Sequence, residues 1–188
     1  NDNGHFQLGN HVFRDSTRGR GYGPVDMHRS IVVSSDVYYY SLAQDMGIDR
    51  IHDFMKPFGF GQITGIDLVG EARGILPSRE WKQRRFKQRW AQGDTISIGI
   101  GQGYNAFTIL QLAHAVATLA NDGIVMKPHL VKKIINSKTG EEEIVAKDPV
   151  DVIPLKKENV NFIKRAMQDV TQKGTGRAIF AGAPYTVG

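Results

Sequence analysis

The spacing of apolar residues predicts that the longest helices lie in the second half of the chain. A helix is indicated from about residue 105 to Asn121-Asp122-Gly123, a sequence typical of a helix end. Its apolar positions recur every three or four residues: Phe107, Leu110, Ala113, His114, Ala117 and Ala120. His114 on this face is interpreted as a core histidine with a satisfied hydrogen bond. A second amphipathic helix is predicted over 154–174, with one apolar face. The residues of that face are Val160, Ile163, Ala166, Met167 and Val170.

Shorter helices are predicted in the first half from caps and breakers. A short helix is indicated at 25–33, and Ser34 or Ser35 can cap the next one, which Gly47 should end. Another short helix at 48–54 should stop before Pro57. Ser78 is a candidate N-cap of a basic helix. The rest of 1–30 and the glycine-rich segment 58–76 are predicted to be loops.

Strand patterns are short and lie late in the chain. Residues 94–100 alternate apolar and polar positions, and 129–135 with 143–146 flank a turn at 136–140 as in a hairpin. A further strand begins at 183–187 and is cut at Gly188. The predicted fold class is therefore α+β, a small antiparallel sheet with helices packed on it, and we expect that sheet to be incomplete in this chain.

Composition favours part of one globular domain. The chain has 188 residues, of which 40% are hydrophobic and 23% charged. It has no cysteine, and its six histidines show no metal-binding spacing, so we expect no metal and no cofactor. No apolar run is long enough to cross a bilayer. The first residues are typical of an internal loop, so any export signal or anchor should lie outside the chain.

The net charge of +5 is concentrated in one segment. Residues 79–90 hold six basic side chains and one acidic, and the remainder of the chain is balanced. The favoured interpretation is a solvated helix anchored by Trp81, Phe86 and Trp90. The alternative is a surface that meets anionic glycan, stem-peptide carboxylates or lipid headgroups.

Ser34 and Asp36 are the candidate catalytic residues. They stand two positions apart where a helix should begin, so both side chains can point into one cleft. A serine hydroxyl donates and accepts hydrogen bonds, and an ionised aspartate accepts them, so the pair can relay a proton and orient a lysine. The competing explanation is a simple helix cap.

The surrounding blocks resemble the transpeptidase domain of class B penicillin-binding proteins. The Ser-x-Asp of Ser34 and Asp36 matches the second of the three family motifs, Ser-x-x-Lys, Ser-x-Asn/Asp and Lys-Thr-Gly. The most specific other blocks are Trp81-Lys82, 93–95 and 99–104. The similarity covers about 21–188 and is greatest to the elongation-specific branch of rod-shaped Gram-negative bacteria.

This resemblance implies a serine β-lactamase-like fold, with 1–188 forming part of a single transpeptidase domain: a loop-rich lead-in over about 1–33, then a helical core. It implies a peptidoglycan D,D-transpeptidase of cell elongation that forms a serine acyl-enzyme and is a β-lactam target. Ser34 would shuttle protons, and Asp36 would hold the catalytic lysine and the substrate's amide. The implied partners are peptidoglycan stem peptides, β-lactam antibiotics and elongation-complex membrane proteins including a glycosyltransferase, without nucleic acid. The implied location is the periplasmic face of the inner membrane.

Two motifs are missing in usable form. No Ser-x-x-Lys occurs, so the nucleophile should lie outside this chain. Lys138-Thr139-Gly140 matches the third motif in letters only, because it falls in the predicted hairpin turn. We therefore expect the full-length protein to be an enzyme and this chain alone to be inactive. The alternatives are an anionic-polymer or nucleic-acid-binding module built on 79–90, and an inert scaffold of the same fold.

Overall fold

The computed structural model describes residues 1–185 and 187, which form helices and short antiparallel strands. The helices are α1 Met27–Val33, α2 Asp36–Met55, α3 Arg79–Phe86, α4 Gln92–Gly99, α5 Ile109–Ala120, α6 Lys157–Lys173 and α7 Arg177–Phe180. The strands are β1 His5–Leu8, β2 His11–Arg14, β3 Ile124–Met126, β4 Lys133–Ile135, β5 Glu142–Ile144 and β6 Pro149–Val152. The α+β class is confirmed. None of the described helices combines the length and hydrophobicity that a bilayer crossing requires.

The strands form three separate two-stranded sheets in the described residues, where one small sheet was predicted. The pairs are β1 with β2, β3 with β6 and β4 with β5, all antiparallel. The β4–β5 hairpin was predicted, whereas the β1–β2 hairpin replaces part of the loop expected over 1–30. The predicted strand at 183–187 is not formed by 183–185 or 187, and positions 186 and 188 lie outside the described residues.

The chain divides into two compact units, each with its own apolar cluster. The first comprises Asn1–His52, Pro77–Asn105 and the residues from Lys156 onward. In it Val37, Tyr40 and Ile96 are buried against aromatic and aliphatic side chains of the β1–β2 hairpin. The second unit comprises Asp53–Leu76 and Ala106–Leu155. Its buried cluster is Phe58, Phe60, Leu76, Ala115, Val125 and Ile153.

Most of the predicted helices are confirmed. Gly47 interrupts α2 with φ 73° and ψ 161°, which matches the predicted end of one helix and start of the next. Ser78 caps α3 by accepting the N–H of Trp81 at 3.1 Å. In α6 the predicted face is the inner one, with Val160 and Ala166 fully buried.

Residues 94–99 belong to helix α4 and Ile100 follows its end, so the strand predicted over 94–100 is wrong. Asp94 accepts the N–H of Ala91 at 2.8 Å and thereby closes the first turn of the helix. The buried residues are Thr95, Ile96 and Ile98, which pack on a helical face. An apolar run of this length has the same pattern in a buried helix and a buried strand, and the cap decides between them.

The inner face of α5 differs from the predicted one. Gln111, Ala115 and Thr118 are buried, while Ala113 and Ala117 are exposed. Burying the Gln111 amide is possible because it is hydrogen-bonded on both sides. Its Nε2 donates to the carbonyls of Gln62 and Arg73 at 2.5 and 2.7 Å, and its Oε1 accepts the N–H of Thr108 at 3.1 Å.

His114 of α5 is half-buried and confirms the predicted satisfied histidine only in part, because its buried Nδ1 has no hydrogen-bond partner among the described residues. Its Nε2 donates to the carbonyl of Met126 in β3 at 2.9 Å.

Candidate active site

Ser34 ends helix α1 in a left-handed backbone conformation. Its φ and ψ are 56° and 53°, the N–H of Ser34 donates to the carbonyl of Ile31, and that of Ser35 donates to the carbonyl of Ser30 at 2.9 Å. This pair of bonds defines a Schellman motif, whose left-handed position is usually glycine. A serine there carries a conformational penalty of about 1 kcal/mol, and its side chain is exposed. Ser34 therefore places a hydroxyl at a position where the backbone conformation favours glycine.

Ser35, not Ser34, caps helix α2. Its Oγ accepts the N–H of Tyr38 at 3.3 Å and donates to Asp2 Oδ2 at 2.5 Å, and the side chain is fully buried. The helix-cap explanation therefore applies to Ser35. The hydroxyl of Ser34 remains available for another role.

Asp36 is the first residue of α2 and lies half-buried beside the same junction. Burial raises the pKa of its carboxyl above the ordinary value, and the negative charges of Asp15 and Asp2 raise it further. The structure thus places both predicted site residues at the α1–α2 junction, without a hydrogen bond between their side chains among the described contacts.

Asp2 and Asp15 are site residues that the sequence did not indicate. Asp2 is buried and its Oδ1 accepts the N–H of Gly4 at 2.8 Å. Asp15 is also buried; its Oδ1 accepts the N–H and hydroxyl of Thr17, and its Oδ2 has no hydrogen-bond partner among the described residues. Within 1–185 and 187 neither carboxylate, nor that of Asp36, has an ion-pair partner. The junction is therefore electrostatically suited to a cation.

These carboxylates do not form a metal centre by their arrangement. In the described part of the chain no three or more His, Asp or Glu side chains are grouped so that they could hold an ion.

Thr175 is a second unpredicted neighbour of the site. It follows α6, and its Oγ1 lies 3.2 Å from Ser34 Oγ, so either hydroxyl can donate to the other. The two residues are 141 positions apart, and no pattern in the sequence connects them.

Lys138-Thr139-Gly140 forms the β4–β5 turn, as predicted. Asn136 Oδ1 accepts the N–H of Lys138 at 2.9 Å and that of Thr139 at 3.3 Å, and its carbonyl accepts the N–H of Gly140 at 2.8 Å. Thr139 Oγ1 donates to Glu141 at 3.0 Å. Turn formation accounts for all of these polar groups.

The basic segment 79–90 is anchored as predicted, but one of its charges is internal. The rings of Trp81, Phe86 and Trp90 each pack on Tyr104, with centroids 5.2 to 6.2 Å apart. Lys82 is buried and its Nζ donates to Asp94 at 2.5 Å, a hydrogen bond that raises the pKa of Lys82. The remaining cations that lack a described acidic partner are all exposed: Arg84, Arg85, Lys87 and Arg89.

Comparison with known proteins identifies the family. The model of the penicillin-binding protein transpeptidase domain matches residues 1–188. The peptidoglycan D,D-transpeptidase MrdA of Haemophilus influenzae is 44% identical over 193 residues, which cover 99% of this chain and 29% of that protein. The chain thus spans less than a third of the length of this relative.

Two solved structures show the same fold. Penicillin-binding protein 2 (PBP2) of Pseudomonas aeruginosa, in complex with WCK 5153, matches with a TM-score of 0.86 and 39% identity over 98% of this chain and 40% of that one. PBP2 of Helicobacter pylori, in complex with MreC, matches with a TM-score of 0.82 and 29% identity, and the match covers 98% of this chain and 33% of that one. These matches favour the transpeptidase hypothesis over nucleic-acid binding and confirm the resemblance to PBP2. The chain belongs to the penicillin-binding protein transpeptidase family.

Proposed function

We propose that this chain supplies the second-motif part of the active site of a peptidoglycan D,D-transpeptidase that cross-links the cell wall during elongation and is a β-lactam target. The observation that carries the proposal is the exposed hydroxyl of Ser34, held in a left-handed conformation and not used as a helix cap. Residues 1–188 would all belong to one transpeptidase domain of the full-length protein, consistent with the extent of the family match.

The proposed reaction is a double displacement at a serine that this chain does not contain. The serine oxygen bonds to the penultimate D-alanine carbonyl carbon, the C–N bond to the terminal D-alanine breaks, and the serine proton reaches the departing nitrogen. An amine of a neighbouring strand then bonds to the same carbon, the ester C–O bond breaks, and a proton returns to the serine oxygen. Ser34 would pass these protons, since a hydroxyl both donates and accepts.

Asp36 would hold the ammonium group of the lysine in the missing Ser-x-x-Lys motif. The negative charges of Asp2, Asp15 and Asp36 support this role because the described residues provide them with no cation. An approaching ammonium group would favour the ionised form of Asp36 and so oppose the effect of burial on its pKa.

The proposed setting is an elongation complex at the periplasmic face of the inner membrane, with the anchor outside this chain. Support comes from the related Helicobacter pylori PBP2, which was solved in complex with MreC. The proposed ligands are peptidoglycan stem peptides and β-lactam antibiotics. A glycosyltransferase is the proposed membrane partner, on the basis of the family resemblance.

The test replaces Ser34 by glycine and by alanine in the full-length protein. Glycine removes the hydroxyl and suits the left-handed backbone, so stability should rise by up to about 1 kcal/mol. Acylation by a fluorescent penicillin should nevertheless slow by about 10²- to 10⁴-fold, the usual loss of a proton-transfer group. Ser34→Ala should slow acylation equally without the gain in stability.

The matched control is Ser137→Gly, which removes an exposed hydroxyl from the β4–β5 turn and should leave acylation unchanged. Normal acylation of Ser34→Gly would remove Ser34 from the mechanism. A wild-type protein that takes up no label would favour the inert scaffold.

A further inference from the structure

We infer that Thr175 is a positioning residue for Ser34, a role that rests on the proposed function of Ser34 as a proton shuttle. The contact joins two exposed side chains, with 3.2 Å between the hydroxyl oxygens. Neither residue needs the other for secondary structure, because Ser34 ends α1 and Thr175 lies between α6 and α7.

The segment from Gly174 to Gly176 is fixed against the end of α1 by its backbone. The N–H of Thr175 donates to the carbonyl of Val32 at 3.3 Å, and the N–H of Gly176 donates to the carbonyl of Val170 at 3.0 Å. A Cβ at Gly174 would lie 2.1 Å from the oxygen of Val32, so only glycine permits this approach. The backbone therefore sets the position of Thr175 independently of its own side chain.

Two side-chain contacts hold α6 against α1 at positions that precede Thr175 in the chain. His28 Nε2 lies 3.3 Å from Asp169, and the His28 ring meets Phe162 edge-on at 5.9 Å. Lys173 pairs with the same Asp169 carboxylate at 2.9 Å. The Lys173 pair lies within α6, whereas the two His28 contacts join α6 to α1 independently of the Ser34–Thr175 contact.

A threonine hydroxyl at this point matches what a shuttling serine requires. When Ser34 donates its proton to Thr175, its lone pairs are free to accept from an ammonium or amine. When Ser34 must donate its proton toward the leaving nitrogen, the hydrogen bond between the two hydroxyls can reverse, so that Thr175 donates to Ser34. An isolated carbonyl or ammonium partner could serve only one of these states. Thr175 would therefore orient Ser34 in both directions of proton transfer without contacting substrate.

The experiment compares Thr175→Val, Thr175→Ser, Ser34→Gly and the Thr175→Val/Ser34→Gly double variant in the full-length protein. Valine keeps the branched shape and removes the hydroxyl, whereas serine keeps the hydroxyl. The measured quantities are the rate constant of acylation at saturating fluorescent penicillin, the concentration for half-saturation, and the melting temperature. Thr139→Val in the β4–β5 turn is the matched control for losing an exposed threonine hydroxyl.

We expect Thr175→Val to slow acylation about three- to tenfold, the range of one neutral hydrogen bond, with half-saturation and melting temperature unchanged. Thr175→Ser should restore the rate to near wild type. The double variant should be no slower than Ser34→Gly, because Thr175 acts only through that hydroxyl.

Three results would overturn the inference: wild-type acylation by Thr175→Val, equal slowing by Thr175→Ser, or further slowing in the double variant. If Thr175→Val is normal while Ser34→Gly is slow, the role of Thr175 fails and the proposed function stands. If Ser34→Gly acylates normally, the proposed role of Ser34 fails, and this inference fails with it.

Discussion

The α1–α2 junction and the β4–β5 turn both contain a sequence that matches a motif of the same enzyme family. Only the junction has a described side-chain contact that its local structure does not explain. In the β4–β5 turn, the polar groups of Lys138-Thr139-Gly140 form their hydrogen bonds with Asn136 and Glu141, which are two to four residues away. At the junction, the hydroxyl of Ser34 meets Thr175 across 141 positions of sequence. The serine also occupies a backbone position that favours glycine.

The difference shows how a motif can be separated from a chance match. A polar group whose partners are all local is explained by the local structure that it stabilises. A polar group kept in a strained conformation, with a distant partner, needs another explanation, and the strain can be used to infer function.

The largest effect on stability is expected from Gly174→Ala, which disturbs the segment that places Thr175 beside Ser34. The new Cβ would lie 2.1 Å from the Val32 oxygen, a backbone atom that cannot move alone. We expect a loss of about 3 kcal/mol in the free energy of unfolding, at the upper end of overpacking, and slower acylation because Thr175 is displaced. Denaturant unfolding and penicillin labelling measure the two effects.

The matched variant is Gly140→Ala in the turn, where a Cβ meets nothing within 4 Å and only the φ of 74° is unfavourable. It should cost about 1 kcal/mol and leave acylation normal. Equal losses in the two variants would contradict the tight approach at Gly174.

A smaller effect is expected from Asp15→Asn on the pH dependence of acylation. Burial is the main cause of the raised pKa of Asp36, and the charge of Asp15 adds to it. Removing that charge lowers the pKa of Asp36, so the ionised form, which is proposed to hold the lysine, persists to lower pH. The acid limb of the rate profile should therefore move to lower pH.

The amide of this variant keeps an acceptor for the N–H of Thr17, and its Nδ2 takes the place of a buried carboxylate oxygen that lacks a described partner. Stability at neutral pH should change little, because one unpartnered polar group replaces another while the repulsion between Asp15 and Asp36 is removed. An unmoved acid limb would show that Asp36 is not the group that titrates.

The smallest effect is expected from Lys138→Ala. The lysine contributes its backbone N–H to the turn, and alanine keeps that group. Acylation should be unchanged, and the free energy of unfolding should change by less than about 0.5 kcal/mol, as for surface substitutions. Loss of labelling in this variant would make Lys138-Thr139-Gly140 a functional motif and reverse the comparison.

The helices that could be predicted from sequence have local start and stop signals. Ser78 before α3 and Gly47 within α2 act through their own backbone neighbourhood, so their effect is visible in a short window. The N-terminal hairpin also had such a signal, which was missed: Gly9-Asn10 is a typical two-residue turn between β1 and β2.

The misassigned elements depend in part on contacts outside a short window. Helix α4 has an alternating pattern; its local cap at Asp94 was missed, and the contact of Asp94 with the buried Lys82 at 2.5 Å spans 12 positions. The pairing of β3 with β6 joins strands separated by the β4–β5 hairpin, so no short turn sequence predicts it.

The candidate site was predictable only in part for the same reason. Ser34 and Asp36 were found because they are close in sequence and belong to a motif. The assignment of the cap to Ser35 required its burial and its bond to Asp2. No motif spacing connects Asp15 or Thr175 with Ser34, and only the fold brings these residues close to the candidate site.

The left-handed backbone at Ser34 limits which side chains can replace the serine without loss of stability. Threonine would offer the same functional group, yet its branched Cβ is strongly disfavoured at φ 56°. Glycine and asparagine tolerate the backbone but carry no hydroxyl. The backbone at this position thus disfavours threonine, the substitution that chemical similarity would suggest. On the proposed role of Ser34, variants that keep the activity should carry their changes at other positions.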